Sequence, residues 1–194
     1  QADQFEMIDG LPRELGTHDR LFRNDGVGKG GMPKLVDVTR DSGINIAREH
    51  GLSAVWWDYN DDGWPDLYVS NDFHTPDHLY RNNGDSTFEE VTKDALAYTS
   101  WYSMGSDFAD INNDGRFDYL SSDMSATTHF KQKTMMGAMT DTAWFLDNLE
   151  PRQYMRNVMH VNTGTGKFID IAFHAGIDST DWTWAAIFGD LDND

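Results

Sequence analysis

The sequence predicts an all-β fold, and three observations carry that expectation. Short runs of β-branched and aromatic residues are bounded by turn residues, two modules recur in register along the 194 residues, and a carboxylate-rich loop occupies the same place in each copy of one module.

The runs come first. Ala54 to Trp57, Asp66 to Asn71, Leu79 to Asn82 and Phe88 to Thr92 are each about five residues long and rich in the side chains that suit a pleated surface. Asp62-Gly63 and Asn83-Gly84 separate them, dipeptides that supply the backbone conformations of tight turns, so hairpin connections follow.

The modules organise these runs. One reads RLFRNDGVGKGGMPKLVDVTRDSGI from Arg20, HLYRNNGDSTFEEVTKDALA from His78 and HVNTGTGKFIDIAFHAGI from His160. The other reads SAVWWDYNDDGWPDLYVSND from Ser53, GSDFADINNDGRFDYLSSD from Gly105 and AAIFGDLDND from Ala185. Asn82 to Asp110 and Asn162 to Asp190 are both 28 residues, and Asn24 to Asp58 is 34 because six extra residues lie around Gly28 to Pro33. Asp58 to Asp110 is 52 and Asp110 to Asp190 is 80, so the third unit carries an insertion of 28 residues between Met124 and Met155.

Four strands about every 50 residues is the pattern of a β-propeller blade. On this reading residues 1–44 end a preceding blade and 45–97 form a complete one. Residues 98–177 form another, with a partly helical insertion at about 124–156, and 178–194 open a further blade. A β-sandwich has similar hairpins but does not require a near-identical unit to recur in register. A propeller closes with four to eight blades. The chain begins at Gln1 without Met and stops at Asp194 inside a motif, so it is expected to be a piece of something longer.

The loops carry the chemistry. Asp58, Asn60, Asp62, Gly63 and Asp66 recur as Asp110, Asn112, Asp114, Gly115 and Asp118, and a third copy begins with Asp190, Asp192 and Asp194. Oxygen-bearing side chains at positions 1, 3 and 5 with Gly at 6 wrap a loop around a hard cation that takes six to eight oxygen ligands. The carbonyls of Trp64 and Arg116 at position 7 and the Asp at position 9 would complete the shell. An EF-hand needs Glu at position 12, where Val69 and Ser121 stand, so the expected loop lies between strands. The competing reading is a turn stabilised by Asp and Asn with no metal. Three carboxylates in so short a loop repel one another without a cation, and Mg²⁺ prefers fewer carboxylates, which favours Ca²⁺ at two complete sites and a third begun.

Composition narrows the partners. A net charge of -18, from 33 acidic and 15 basic residues, disfavours nucleic acid and anionic membranes. There is no cysteine, so neither disulfides nor thiolate metal sites are available. No apolar run is long enough to span a bilayer, and Gln1 to Gly10 lacks the features of a signal peptide.

At the loops the chain resembles the FG-GAP or VCBS repeats of integrin-α-like β-propellers, in which such a loop joins the first two strands of a blade. The Tyr154-Met155-Arg156-Asn157 stretch, NTGTGKF from Asn162 and TDWTWAAIFGDLDND from Thr180 resemble, more narrowly, the bacterial cartilage-acidic-protein-like (ASPIC/UnbV-associated) repeat proteins. The resemblance implies a secreted, cell-surface or periplasmic protein with calcium as its cofactor and no established catalytic activity.

Other candidates are weaker. Met124, Met135, Met136, Met139, Met155 and Met159 with His129 and His160 could form a soft-metal site, but Phe130, Met135 and Met139 fall near helical spacing, which favours a packed helical excursion over copper or a partner surface. Of Trp56, Trp57, Trp101, Trp144, Trp182 and Trp184, Trp57 aligns with Ala109 and Gly189 and is the one expected to be exposed, where it could stack on a sugar. No Gly-x-Ser-x-Gly, His-Glu-x-x-His or P-loop is present. The expected function is a non-catalytic extracellular scaffold that binds a protein or glycan, and further blades or neighbouring subunits are expected partners. The alternatives are part of a propeller enzyme whose site needs other blades, and a subunit of a larger surface assembly.

Overall fold

The computed structural model describes residues 5–8, 11–14, 16–73, 75–135 and 151–191. The chain is mostly β-strand with a few short helices. A hairpin of β1 (Phe5–Ile8) and β2 (Leu11–Glu14) precedes a second hairpin, β3 (Phe22–Val27) and β4 (Pro33–Asp37).

Two four-stranded antiparallel meanders follow. The first runs β5 (Gly51–Trp57), β6 (Asp66–Asn71), β7 (His78–Asn82) and β8 (Phe88–Glu90) in spatial as well as chain order. The last strand was expected to reach Thr92, but it stops at Glu90. Thr92 Oγ1 accepts the Leu79 N–H at 2.7 Å, and the chain turns there into α1 (Thr92–Ala95).

After β9 (Tyr98–Ser100), the second meander begins with β10 (Gly105–Ala109) and β11 (Asp118–Ser122). The insertion then supplies β12 (Met124–Ser125), α2 (His129–Met135) and β13 (Arg152–Tyr154). The meander resumes with β14 (Val158–Asn162) and β15 (Phe168–Asp170), and α3 (Ala172–Ala175) and β16 (Asp181–Trp182) follow. Removing the insertion leaves the strand order of the first meander, β10-β11-β14-β15.

The insertion is tied down at its ends by backbone pairing. β13 pairs in parallel with β9, and β12 pairs with β16. The expected packed helix is corrected in its described part, because no residue of α2 is buried and Phe130 and Met135 are 75% and 62% exposed. Met136, Met139 and Trp144 lie outside the described residues. The segment from Ala185 to Asp190 makes no ladder with another strand among the described residues; the Phe188 N–H instead donates to Asp107 Oδ2 at 2.8 Å.

Packing follows from the pleat of β6, which is buried along its whole length. Leu67 and Val69 lie on one face with Ile44 and Tyr80, against Leu21 and Phe88. Tyr68 lies on the other face, 4.2 Å from Tyr119 of the second meander. Between the two meanders Trp57 stacks on Tyr119 at 5.7 Å and on Phe108 at 5.4 Å, with Leu79, Val91, Val158 and Phe168 completing the cluster. This corrects the expectation for the tryptophans, since Trp57 is 4% exposed and its neighbour Trp56 is 43% exposed. Successive residues of a strand face opposite ways, so burying one turns the other outward.

One ion-pair cluster locks the first meander to the segment before it. His78 Nε2 lies 2.9 Å from Glu49 Oε2 and Nδ1 lies 3.6 Å from Glu90, while Asn45 Nδ2 donates to Glu49 at 2.9 Å. Burial pulls the His78 pKa down, but the bonds to Glu49 and Glu90 outweigh it and raise the value to about 9. That folded value is above the unfolded 6.5, so the stabilisation is complete below about pH 6.5 and is lost as pH rises through about 9. Urea midpoints at pH 6 and pH 10 should fall by the equivalent of about 2–3 kcal/mol in the native chain and much less in His78→Gln; equal falls would refute the assignment.

Candidate metal centre

Each carboxylate loop joins the first two strands of its meander, and the two loops share the same bonds from backbone amides to loop side chains. In loop 1, Asp58 Oδ1 accepts the Asp62 N–H at 3.1 Å and Oδ2 accepts the Gly63 N–H at 2.8 Å. In loop 2, Asp110 accepts the Asp114 and Gly115 N–H groups at the same two distances, 3.1 and 2.8 Å. Asn60 and Asn112 each accept a second contact from the position 5 N–H, at 3.3 and 3.1 Å. Asp62 and Asp114 accept the N–H of position 7, both at 2.9 Å.

The backbone repeats as well. Asp61 and Asn113 have φ of 58° and 57°, and Gly63 and Gly115 have φ of 86° and 84°. The glycine is therefore required by its left-handed conformation, and Asn and Asp tolerate the other position.

Position 9 has a double role. Asp66 and Asp118 are fully buried at the first residues of β6 and β11. Asp66 accepts the Tyr59 N–H at 3.0 Å and the Asn82 N–H at 2.7 Å; Asp118 accepts the Ile111 N–H at 3.2 Å and the Asn162 N–H at 2.8 Å. Each thereby ties the loop to the end of the third strand. Burial is the largest influence on Asp66 and pushes its pKa up to about 6 against the opposing pull of those amides; burial also raises Asp118. Asp110 is held below the usual range, where desolvation is outweighed by hydrogen bonds from Gly115, Asp114 and neighbouring amides.

The side chain at position 7 rests on a glycine. The Trp64 indole lies against Gly84, where a Cβ would meet it at 2.8 Å, and the Arg116 guanidinium lies against Gly164, where a Cβ would meet it at 3.2 Å. Both glycines have positive φ, 76° and 70°.

Sequence reasoning passed over the asparagine that holds this turn. Asn82 and Asn162 each accept the N–H two residues on at 2.9 Å, and Asn24 does the same for Gly26 at 2.9 Å. Asn162 Nδ2 also donates to Tyr59 O at 2.7 Å, which links loop 1 to the second meander. The signal was present, because these asparagines recur at one place in all three copies of their module.

The structure brings together the residues predicted at the two complete loops. Asp190 is described and exposed, and Asp192 and Asp194 lie outside the described residues. Among the described residues, no group of three or more carboxylates and imidazoles by itself forms a metal site. The loop oxygens are turned toward loop amides, so a cation there would also draw on Asn60 or Asn112 and on the position 7 carbonyl.

Residues 58–121 match the family model of the FG-GAP-like repeat. The match opens on the first carboxylate of loop 1, includes all of loop 2 and supports a repeat of the FG-GAP/VCBS type. No curated protein matches the chain. The matched stretch runs from loop 1 through β6, β7 and β8 and on through β10 and loop 2 into β11. No helix among the described residues is long and apolar enough to cross a membrane.

Proposed function

We propose that the chain is a calcium-stabilised arc of an extracellular β-propeller that serves as a non-catalytic scaffold for a protein or glycan partner. The observation that carries the reading is the shared wrap of the two loops, in which the same amides organise the same oxygens around the same left-handed turn. The donors are hard oxygens, the chemistry that suits Ca²⁺. Asp58, Asn60, Asp62, the Trp64 carbonyl and Asp66 would hold one ion, and Asp110, Asn112, Asp114, the Arg116 carbonyl and Asp118 a second, with Asp190, Asp192 and Asp194 opening a third loop. The ion would neutralise the loop carboxylates and cross-link the strands they join.

The propeller reading draws support from how the meanders stack. By the loop alignment Tyr119 is the counterpart of Leu67, and Leu120 is the counterpart of Tyr68. Tyr119 packs back onto the first meander as Leu67 packs back toward Leu21 and Ile44. Each unit thus presents one face backward and the opposite face forward, a head-to-tail contact that repeats. Ile169, 60% exposed on β15, fits a surface that a following unit would cover. A cell-surface or secreted location is part of this proposal, and the resemblance of the NTGTGKF and TDWTWAAIFGDLDND segments to bacterial ASPIC/UnbV-associated repeat proteins is what supports it.

Chelation tests the reading. Calcium at about ten times its dissociation constant stabilises by roughly 1.4 kcal/mol per site. For a chain of this size, two sites correspond to a Tm rise of about 5–10 °C between excess chelator and millimolar calcium. Unchanged melting by differential scanning calorimetry would remove calcium from the reading.

A further inference from the structure

The two loops differ at one contact. In loop 2 the Arg116 Nη2 lies 2.6 Å from Asp114 Oδ2, so a guanidinium already sits on the position 5 carboxylate. In loop 1 the equivalent oxygen, Asp62 Oδ2, takes the neutral Asn60 Nδ2 amide at 2.8 Å, and the position 7 side chain is the Trp64 indole lying on Gly84. Arg116 is held in place from the other side as well, since its guanidinium rests on Gly164 and its Nε reaches Asn162 O at 3.5 Å.

We propose that Arg116 is a resident counter-ion that makes loop 2 the weaker of two unequal divalent-cation sites, while loop 1, with Trp64 at the same position, is the tighter one. The inference rests on the calcium reading above. A divalent ion entering loop 2 must displace the guanidinium from Asp114 or share the carboxylate with it, and two cations at that distance repel. Arg116 and Asp114 keep part of their surface in water, with side-chain exposures of 34% and 25%, so screening limits the effect to about tenfold in affinity. As calcium falls, loop 2 would consequently be the first to lose its ion yet keep its shape, because one carboxylate stays neutralised by Arg116, and loop 1 would hold its ion longer.

Calcium titration calorimetry on the whole chain tests this with one loop disabled at a time. Asp62→Asn leaves loop 2 and Asp114→Asn leaves loop 1, and the second variant should bind about tenfold more tightly than the first. In the Asp62→Asn background, Arg116→Gln should tighten loop 2 about tenfold, and Arg116→Trp should do the same while restoring the loop 1 side chain. Terbium luminescence excited through tryptophan gives an independent readout when the native chain is compared with Trp64→Phe, because Trp64 stands in loop 1 where Arg116 stands in loop 2, whereas Trp57 lies between the meanders. The part of the signal that Trp64→Phe removes should fill first and be missing in Asp62→Asn. Equal affinities with no gain from either Arg116 variant would overturn this inference alone. Absence of calcium binding at both loops would overturn it together with the calcium reading.

Discussion

Trp57→Ala should cost about 3–5 kcal/mol, and Trp56→Ala less than about 1 kcal/mol, when each is measured by urea unfolding at constant calcium. Trp57 is the buried plate between the two meanders. It contacts Tyr68 on its own sheet and Phe108 and Tyr119 across the gap, with ring centroids 5.4 to 6.1 Å apart. Its removal opens a cavity bounded by two rigid sheets, which cannot collapse to fill it. Trp56 points the other way and is half exposed, with one edge-on contact to Phe88 at 5.9 Å. Equal losses for the two variants would show that the core does not lie where the structure places it.

Asp77→Ala should be comparably damaging, about 3–5 kcal/mol, and Asp77→Asn should cost only about 1 kcal/mol. Asp77 is fully buried. Its Oδ2 accepts from Tyr68 Oη at 2.7 Å and Ser103 Oγ at 2.6 Å, and its Oδ1 accepts the Asn71 N–H at 2.8 Å. Alanine leaves three buried donors without an acceptor. Asparagine keeps the Oδ1 bond, and the hydroxyls can turn to accept from its amide. The second meander supplies a natural precedent with the pair exchanged: Asp123 stands at the place of Asn71, Asn157 stands at the place of Asp77, and Asn157 Oδ1 accepts the Asp123 N–H at 2.7 Å.

Burial, partly offset by those hydrogen bonds, raises the Asp77 pKa from 3.8 to about 7. A folded value above the unfolded one means that its contribution to stability is full below about pH 4 and is lost as pH rises through about 7. The Asn variant should therefore destabilise less at pH 8 than at pH 5. Guanidinium midpoints that shift by the same amount at both pH values would refute that assignment.

Most of the strand layout was legible because it is written in local chemistry. β6 spans the expected Asp66 to Asn71, and β7 begins one residue before the expected Leu79. Both end at turn residues whose conformations are set within three or four positions. The loops were legible for the same reason, since their wrap depends on donors and acceptors no more than five residues apart. The recurring Asn24, Asn82 and Asn162 were visible as register marks, but their bonds to the next turn were not read from that recurrence.

The errors share one cause. When a strand is buried on both faces, alternation no longer says which face meets which neighbour, and Leu67 to Asn71 is such a strand. Trp56 and Trp57 are successive residues of β5, which pairs with that strand, so with both faces of the sheet covered spacing could not say which of the two enters the core. Their order was decided by the second meander, which lies 52 residues along in sequence and supplies Phe108 and Tyr119. The α2 segment had helical spacing and is helical, yet spacing does not provide a surface to pack on, and its described side chains face water.

The residue order by itself determined the repeat, the strands, the turns and the two carboxylate loops, because each is specified by groups that are neighbours along the chain. Only the tertiary structure decided which tryptophan is core, why Asp66 and Asp118 are buried, and that the Arg116 guanidinium is braced on the distant turn at Gly164. Those outcomes depend on groups brought together across the chain, where burial and charge are set by neighbours that local sequence does not name.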